Sequence, residues 1–263
     1  MPRTPRWTEA PIEDGIGEYR LSSWKYFTDF VDQQMLDHRG YIWRGQRCDD
    51  WLLQPGLERR LERFPVKRRT SLRRLHLESF QYAVRGRRGP NPPRLESDND
   101  WWALGQHHGL YTPLLDWTRS PFGAAYFAFF DTGAPQTQRR ALYALHQDAV
   151  ERRNRELRKT SDGDGNPPCL EFIRPFSDDN PRLVNQAGLF TRAPDGIDIV
   201  RWVKEQFAGV SDRYILMKVT IPNADRDICL RSLNRMNINH LTLFPDLIGA
   251  SLFCNVDLEI DRY

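Results

Sequence analysis

Apolar residues recur at helical spacing over residues 22–35, where Trp24, Phe27, Val31 and Met35 share one face and Ser22 or Ser23 stands ready to cap the first turn. The next segment, from Tyr41 to Arg44, is a short apolar strand. Residues 51–56 read as a turn-containing loop, and residues 70–84 bring Leu72, Leu75, Phe80 and Ala83 together at roughly helical intervals. A basic, proline-rich loop follows over residues 85–94. Asp98 or Asn99 is placed to cap a helix running toward His107, and Pro113 keeps residues 110–117 extended or turning. Ser120-Pro121 opens another helix, uncharged as far as Phe130, and this predicts a helix buried at the centre of the fold. Residues 140–146, 170–176 and 213–221 read as strands, residues 223–236 as a helix, and residues 243–253 end in a second one. Helices and short strands without regular alternation predict an α+β domain, with mixed or antiparallel small sheets and flanking helices. We expect a polar leader over residues 1–20, a domain over residues 21–263, and within it a charged, glycine-bearing and mobile insertion at 148–168.

The chain has 263 residues, of which 40% are apolar and 12% aromatic, enough to build a substantial core. Its formal charge of +3 is mild, but arginine and lysine crowd residues 59–94, a pattern able to meet phosphates. The plainer reading is a solvated helical face, because Glu58, Glu62 and Glu78 are interleaved at spacings that allow ion pairs. The four cysteines, Cys48, Cys169, Cys229 and Cys254, form neither a Cys-x-x-Cys pair nor a disulfide framework, which suits a reducing cytoplasm. No apolar signal core opens the chain, and its longest apolar run falls short of the ~18 residues that span a bilayer, so no membrane partner is expected. No metal site is predicted, and the phosphate-loop, dinucleotide-fold, serine-hydrolase and zinc-protease signatures are missing.

Residues 101–130 mix polar and apolar positions in a way a plain core would not. His107 and His108 stand at a glycine break, and Asp116, Thr118, Arg119 and Ser120 follow before the apolar helix. Arg44, at a strand end, offers a planar fork of donors matched to phosphate, and Gly45 would let a ligand approach the backbone. Arg44 is equally able to pair with an internal carboxylate such as Asp116, which two leucines and a tryptophan should partly bury. His107 or His108 can act as acid, base or ligand donor, one of the two being structural because neighbours point in different directions. Thr118 and Ser120 can bond a ligand or cap the Pro121 helix.

These segments carry a family resemblance. Trp43-Arg44-Gly45, Leu104-Gly105-Gln106-His107-His108-Gly109, Leu114-Leu115-Asp116-Trp117-Thr118, Ser120-Pro121, the run from Asn185 to Thr191 and Leu243-Phe244-Pro245-Asp246-Leu247 resemble the FRG domain family over about residues 41–250. The strand-borne Arg-Gly, the Ser/Thr segment opening an apolar helix and a third polar motif also resemble the layout of ADP-ribosyltransferase folds. That resemblance implies an NAD substrate. Arg44, Gly45 and Gln46 would hold the dinucleotide with Thr118 and Ser120, Tyr126 or Phe127 would offer a ring face, and a carboxylate would offset charge as nicotinamide leaves. The usual glutamate of the third motif is missing. Gln186 is the nearest polar substitute, and Asp116 and Asp246 are the nearest carboxylates, so the expected catalytic set is Arg44, His107, Asp116 and Gln186.

The resemblance implies a cytoplasmic effector of a toxin or antiphage system that transfers or hydrolyses the ADP-ribose of NAD. Its acceptor would be a protein or a nucleic acid, and an antitoxin or defence-system protein would be its partner. One alternative is a nucleic-acid binder or nuclease using residues 59–94, with His107, His108 and Asp116 as acid, base or metal ligands. Another is a recognition module that binds a small ligand without turnover.

Overall fold

The computed structural model describes residues 5–92, 94–131, 136–160, 167–174 and 188–263. Among these, eight strands form one sheet: β1 (Trp7–Glu9), β2 (Ile16–Leu21), β3 (Tyr41–Gln46), β4 (Leu115–Thr118), β5 (Arg139–His146), β6 (Glu171–Ile173), β7 (Gly188–Arg192) and β8 (Leu216–Pro222). Their order is β1-β2-β8-β5-β3-β4-β7-β6, with β2 and β8 parallel and the other neighbours antiparallel. The protein is α+β, and a single mixed sheet flanked by helices takes the place of the expected small sheets.

The near-continuous apolar run of β5 is explained by burial on both faces. Leu142 and Ala144 pack with Trp43, Met217 and the Pro121–Phe129 helix, whereas Ala141, Tyr143 and Leu145 pack with Ile42, Val150 and Trp202 on the other side. The Pro121–Phe129 helix is as central as its composition predicts: Ala124, Ala125, Tyr126, Ala128 and Phe129 have no exposed surface. Ser120 caps it, its Oγ accepting from the Gly123 N–H at 3.0 Å. Residues 22–35 form a 3₁₀ turn, an α turn and a π turn in succession, capped by Ser23.

Three segments carry structure beyond what was expected of them. The polar leader contributes β1 and β2 to the sheet edge, because Tyr19 and Leu21 alternate at period two and bury while Glu18 and Arg20 face outward. The segment expected to be a mobile insertion begins as the Gln147–Thr160 helix, whose charges occupy one side while Ala149, Val150 and Asn154 are buried; residues 161–166 lie outside the described residues. Asn154 ties this helix to the chain beyond it, donating to the Leu170 carbonyl at 2.8 Å and accepting from the Leu170 N–H at 3.1 Å. The Asp98–His107 helix is capped one residue earlier than expected, by Ser97 and Asp100 in a reciprocal capping box.

Burial carries a pH consequence. His240 is 1% exposed and bonded through Nδ1 to the Tyr126 hydroxyl, and burial pushes its ionisation down to about 4. The unfolded histidine titrates near 6.5, so below that pH the unfolded chain takes up a proton that the folded chain refuses. Stability from this residue is therefore complete above 6.5 and falls as pH drops toward 4. Denaturant unfolding should show a loss of about 2 kcal/mol between pH 7 and pH 5 that His240→Gln lacks. An equal pH dependence in the two proteins would refute this account.

Candidate functional site

Pairing of β3, β4 and β7 sets three of the sequence motifs side by side. Trp43 pairs with Thr118, and Leu115–Thr118 pairs with Gly188–Thr191, where the Trp117 indole N–H donates to Thr191 Oγ1 at 2.8 Å. The β3–β4 ladder joins the strands at Trp43 and Thr118, and the Arg44 side chain continues the connection. Its Nη1 donates to the Asp116 carbonyl at 2.8 Å and lies 3.7 Å from Asp116 Oδ2.

Asp116 Oδ2 also accepts from Gln106 Nε2 at 2.7 Å, and Gln106 Oε1 accepts from the Thr112 hydroxyl. Thr112 Oγ1 in turn accepts from the Leu114 N–H at 3.2 Å. A chain of polar contacts thus runs from Arg44 through Asp116 and Gln106 to Thr112, holding the arginine by a partner that is itself held. Gln106 and Thr112 stand outside the expected set, which took the polar chemistry of this segment from His107 and His108. Their signal was the Gln in Leu104-Gly105-Gln106-His107-His108-Gly109, one helical residue before the break.

Electrostatics at Arg44 are mixed. Burial lowers its pKa, Asp116 opposes that shift, and Arg59 adds to it. A guanidinium remains charged through such a shift. Arg44 Nε is buried and has no hydrogen-bond partner among the described residues, nor has Gln46 Oε1. Gln46 is 6% exposed, with Nε2 donating to the Leu52 carbonyl at 3.2 Å. Strand alternation puts Arg44 and Gln46 on one side of β3. Among the described residues, this side therefore holds both an unspent donor and an unspent acceptor.

Several expected site residues do other work. Gly45 faces the Pro121–Phe129 helix, where a Cβ would collide with the Ala124 carbonyl and stand 2.6 Å from the Ala128 nitrogen; the close neighbour is the protein's own helix and not a ligand. Thr118 Oγ1 accepts from the Ser120 N–H at 3.1 Å, and Ser120 caps the helix. Tyr126 is wholly buried, so it offers no ring face to solvent. By alternation, this helix side of β3 is the face opposite Arg44. Asp116, expected to be partly buried, is 57% exposed in its side chain and so more open than its apolar neighbours suggested.

His107 ends its helix half-buried, its ring 4.8 Å from that of exposed His108 in an edge-on arrangement. Asp246 caps the Leu247–Glu259 helix, its Oδ1 accepting from the Gly249 N–H at 2.9 Å. Gln186 lies outside the described residues. The structure therefore joins Arg44 directly to Asp116, and it sets Gly45, Thr118, Ser120 and Tyr126 apart on the helix face.

Among the described residues no three His, Cys, Asp or Glu side chains stand together as a metal site, and no helix is long and apolar enough to cross a membrane. Residues 39–137 match the model of the FRG domain family, a stretch that includes Arg44, Gln106, His107, Asp116 and Ser120 but stops short of the motifs at 185–191 and 243–247. No curated protein and no solved structure matches the chain.

Proposed function

We propose that the Arg44 face binds NAD and that the protein transfers or hydrolyses the ADP-ribose portion, on an ADP-ribosyltransferase-like fold, residues 39–137 matching the FRG domain model. The observation that carries this reading is the Arg44 guanidinium, fixed through Nη1 by the Asp116 carbonyl while a second donor, Nε, stays unspent. A planar donor fork held in one orientation is suited to a pyrophosphate oxygen. Gln46 Oε1, on the same side of the strand, is suited to accept from an N–H or hydroxyl of the ligand.

Asp116 supplies the carboxylate. Breaking the bond between ribose C1′ and nicotinamide sends the electron pair to nicotinamide and leaves positive charge at C1′, which an adjacent carboxylate offsets. Gln106 keeps that carboxylate oriented. The acceptor, a protein or nucleic-acid nucleophile or water, then bonds to C1′ and gives up its proton. An antitoxin or defence-system partner follows from the effector reading.

The test is free nicotinamide released from NAD by the purified protein, measured by chromatography with and without cell lysate. Arg44→Ala should lower release by about a hundredfold, as loss of one preorganised donor does, with its thermal unfolding recorded to show that it folds. Dependence on lysate would assign transfer, and release without lysate would assign hydrolysis. No release from wild type, or release that survives in folded Arg44→Ala, would overturn the reading.

A further inference from the structure

Between residues 58 and 88 the chain carries three carboxylates, Glu58, Glu62 and Glu78, against a far larger number of cations. Glu58 is consumed inside the protein by Arg73 at 2.9 Å, and Glu78 is paired with Arg74 at 2.7 Å. Glu62 Oε1 accepts from Gln54 at 2.6 Å. Pairing with these carboxylates thus accounts for two arginines, one buried and one on the solvated face. Arg69 turns back onto the Phe64 and Glu62 carbonyls. Arg59, Arg60, Arg63, Lys67, Arg68 and Arg85 remain exposed along the Gly56–Leu61 and Val66–Ala83 helices and just beyond.

Aromatic rings are interleaved with these cations, and two of them face solvent. Tyr82 is 71% exposed with the Arg85 guanidinium 4.9 Å above its ring, and Tyr111 is 50% exposed with Arg60 4.8 Å above it. Arg60 Nη2 also donates to the Tyr111 hydroxyl at 3.0 Å, which fixes that pair. Such exposed ring faces beside solvated guanidinium groups are the parts from which a base-stacking platform is made.

We infer that residues 59–88, with Tyr111, form a binding surface for single-stranded nucleic acid, the exposed cations tracking its phosphates and Tyr82 and Tyr111 stacking its bases. Charge complementarity selects a polyanion. Unstacked bases are what the exposed rings require, and a duplex keeps its bases inside. An anionic membrane fits less well, because the exposed apolar residues of the long helix, Val66 and Leu75, are nine positions apart and project from opposite sides. They form no face to insert into lipid. The inference stands independently of NAD chemistry.

Fluorescence anisotropy of the full chain with a labelled thymidine oligonucleotide tests it, against the same label on a duplex and against phosphatidylserine vesicles. Single strands should bind more tightly than duplex, and Tyr82→Ala should weaken them about tenfold, as removal of one stacking partner does. Lys67→Ala with Arg68→Ala should reduce the slope of log affinity against log salt by about 1.4. Equal binding of duplex and single strand with no effect of Tyr82→Ala, binding to vesicles alone, or no oligonucleotide binding at low salt would overturn it. Nicotinamide release measured on the same preparations keeps its failure distinct from failure of the NAD reading.

Discussion

Gly45→Ala is expected to destabilise the protein by about 3 kcal/mol, at the upper end for overpacking a filled site. The added methyl would meet backbone: the Ala124 carbonyl in direct collision and the Ala128 nitrogen at 2.6 Å, with Ala128 Cβ at 3.0 Å. A flexible side chain can rotate aside, but a helix backbone cannot. Strand β3 and the Pro121–Phe129 helix must therefore separate, and six of that helix's nine residues are buried. Thermal unfolding should move down by roughly 6 °C for a chain of this length. Ala128→Gly should fail to rescue the variant, because the obstructing atoms are main chain. Separation would also move Arg44, the preceding residue, off the Asp116 carbonyl, so loss of stability and loss of the proposed nicotinamide release should appear together. A Gly45→Ala protein with unchanged melting would mean that the strand and helix do not approach as closely as described.

Arg73→Ala is expected to cost about 4 kcal/mol, the scale for removing one partner of a buried ion pair. Arg73 is 5% exposed and spends its whole fork: Nε and Nη2 donate to Glu58 at 2.9–3.0 Å, and Nη1 donates to Asp195 Oδ2 at 2.6 Å. It thereby ties the Val66–Ala83 helix to the Gly56–Leu61 helix and to the segment following β7. Without it, the Glu58 carboxylate, itself in a residue 8% exposed, keeps no matching charge. Pairing Arg73→Leu with Glu58→Leu should recover much of the loss, because the penalty lies in the orphaned charge and not in the absence of the pair. Denaturant unfolding of the two single variants and the double variant completes the cycle. A loss below about 1 kcal/mol for Arg73→Ala would place the pair in the class of surface bridges.

Arg73 shows why the basic segment was hard to read from composition. Among neighbouring arginines on one helix, Arg73 is sealed inside, Arg74 lies exposed beside Glu78, and Arg69 closes on backbone carbonyls. Their types and spacing are nearly alike, and the distinction comes from Glu58 on the neighbouring helix and from Asp195, more than a hundred positions away.

What the sequence determined by itself was local. Ser120 before Pro121 with an uncharged run after it specified a capped, buried helix, and the alternation and apolar content of β3, β5 and β8 specified strands, because caps and periodicities act within a few residues. The FRG resemblance at Trp43-Arg44-Gly45 and at 104–118 was also legible, and it located the candidate site. Tertiary structure alone decided how those pieces are shared out. Pairing of β3 with β4 brought Arg44 to the Asp116 carbonyl, and the period-two pleat turned Gly45 to the opposite face, where the Pro121–Phe129 helix fills the space that a ligand had been assigned. Likewise, β1 and β2 became strands through pairing with each other and with β8, not through a hydrophobic run of their own. Register and facing depend on partners remote in the chain, so no local pattern carries them.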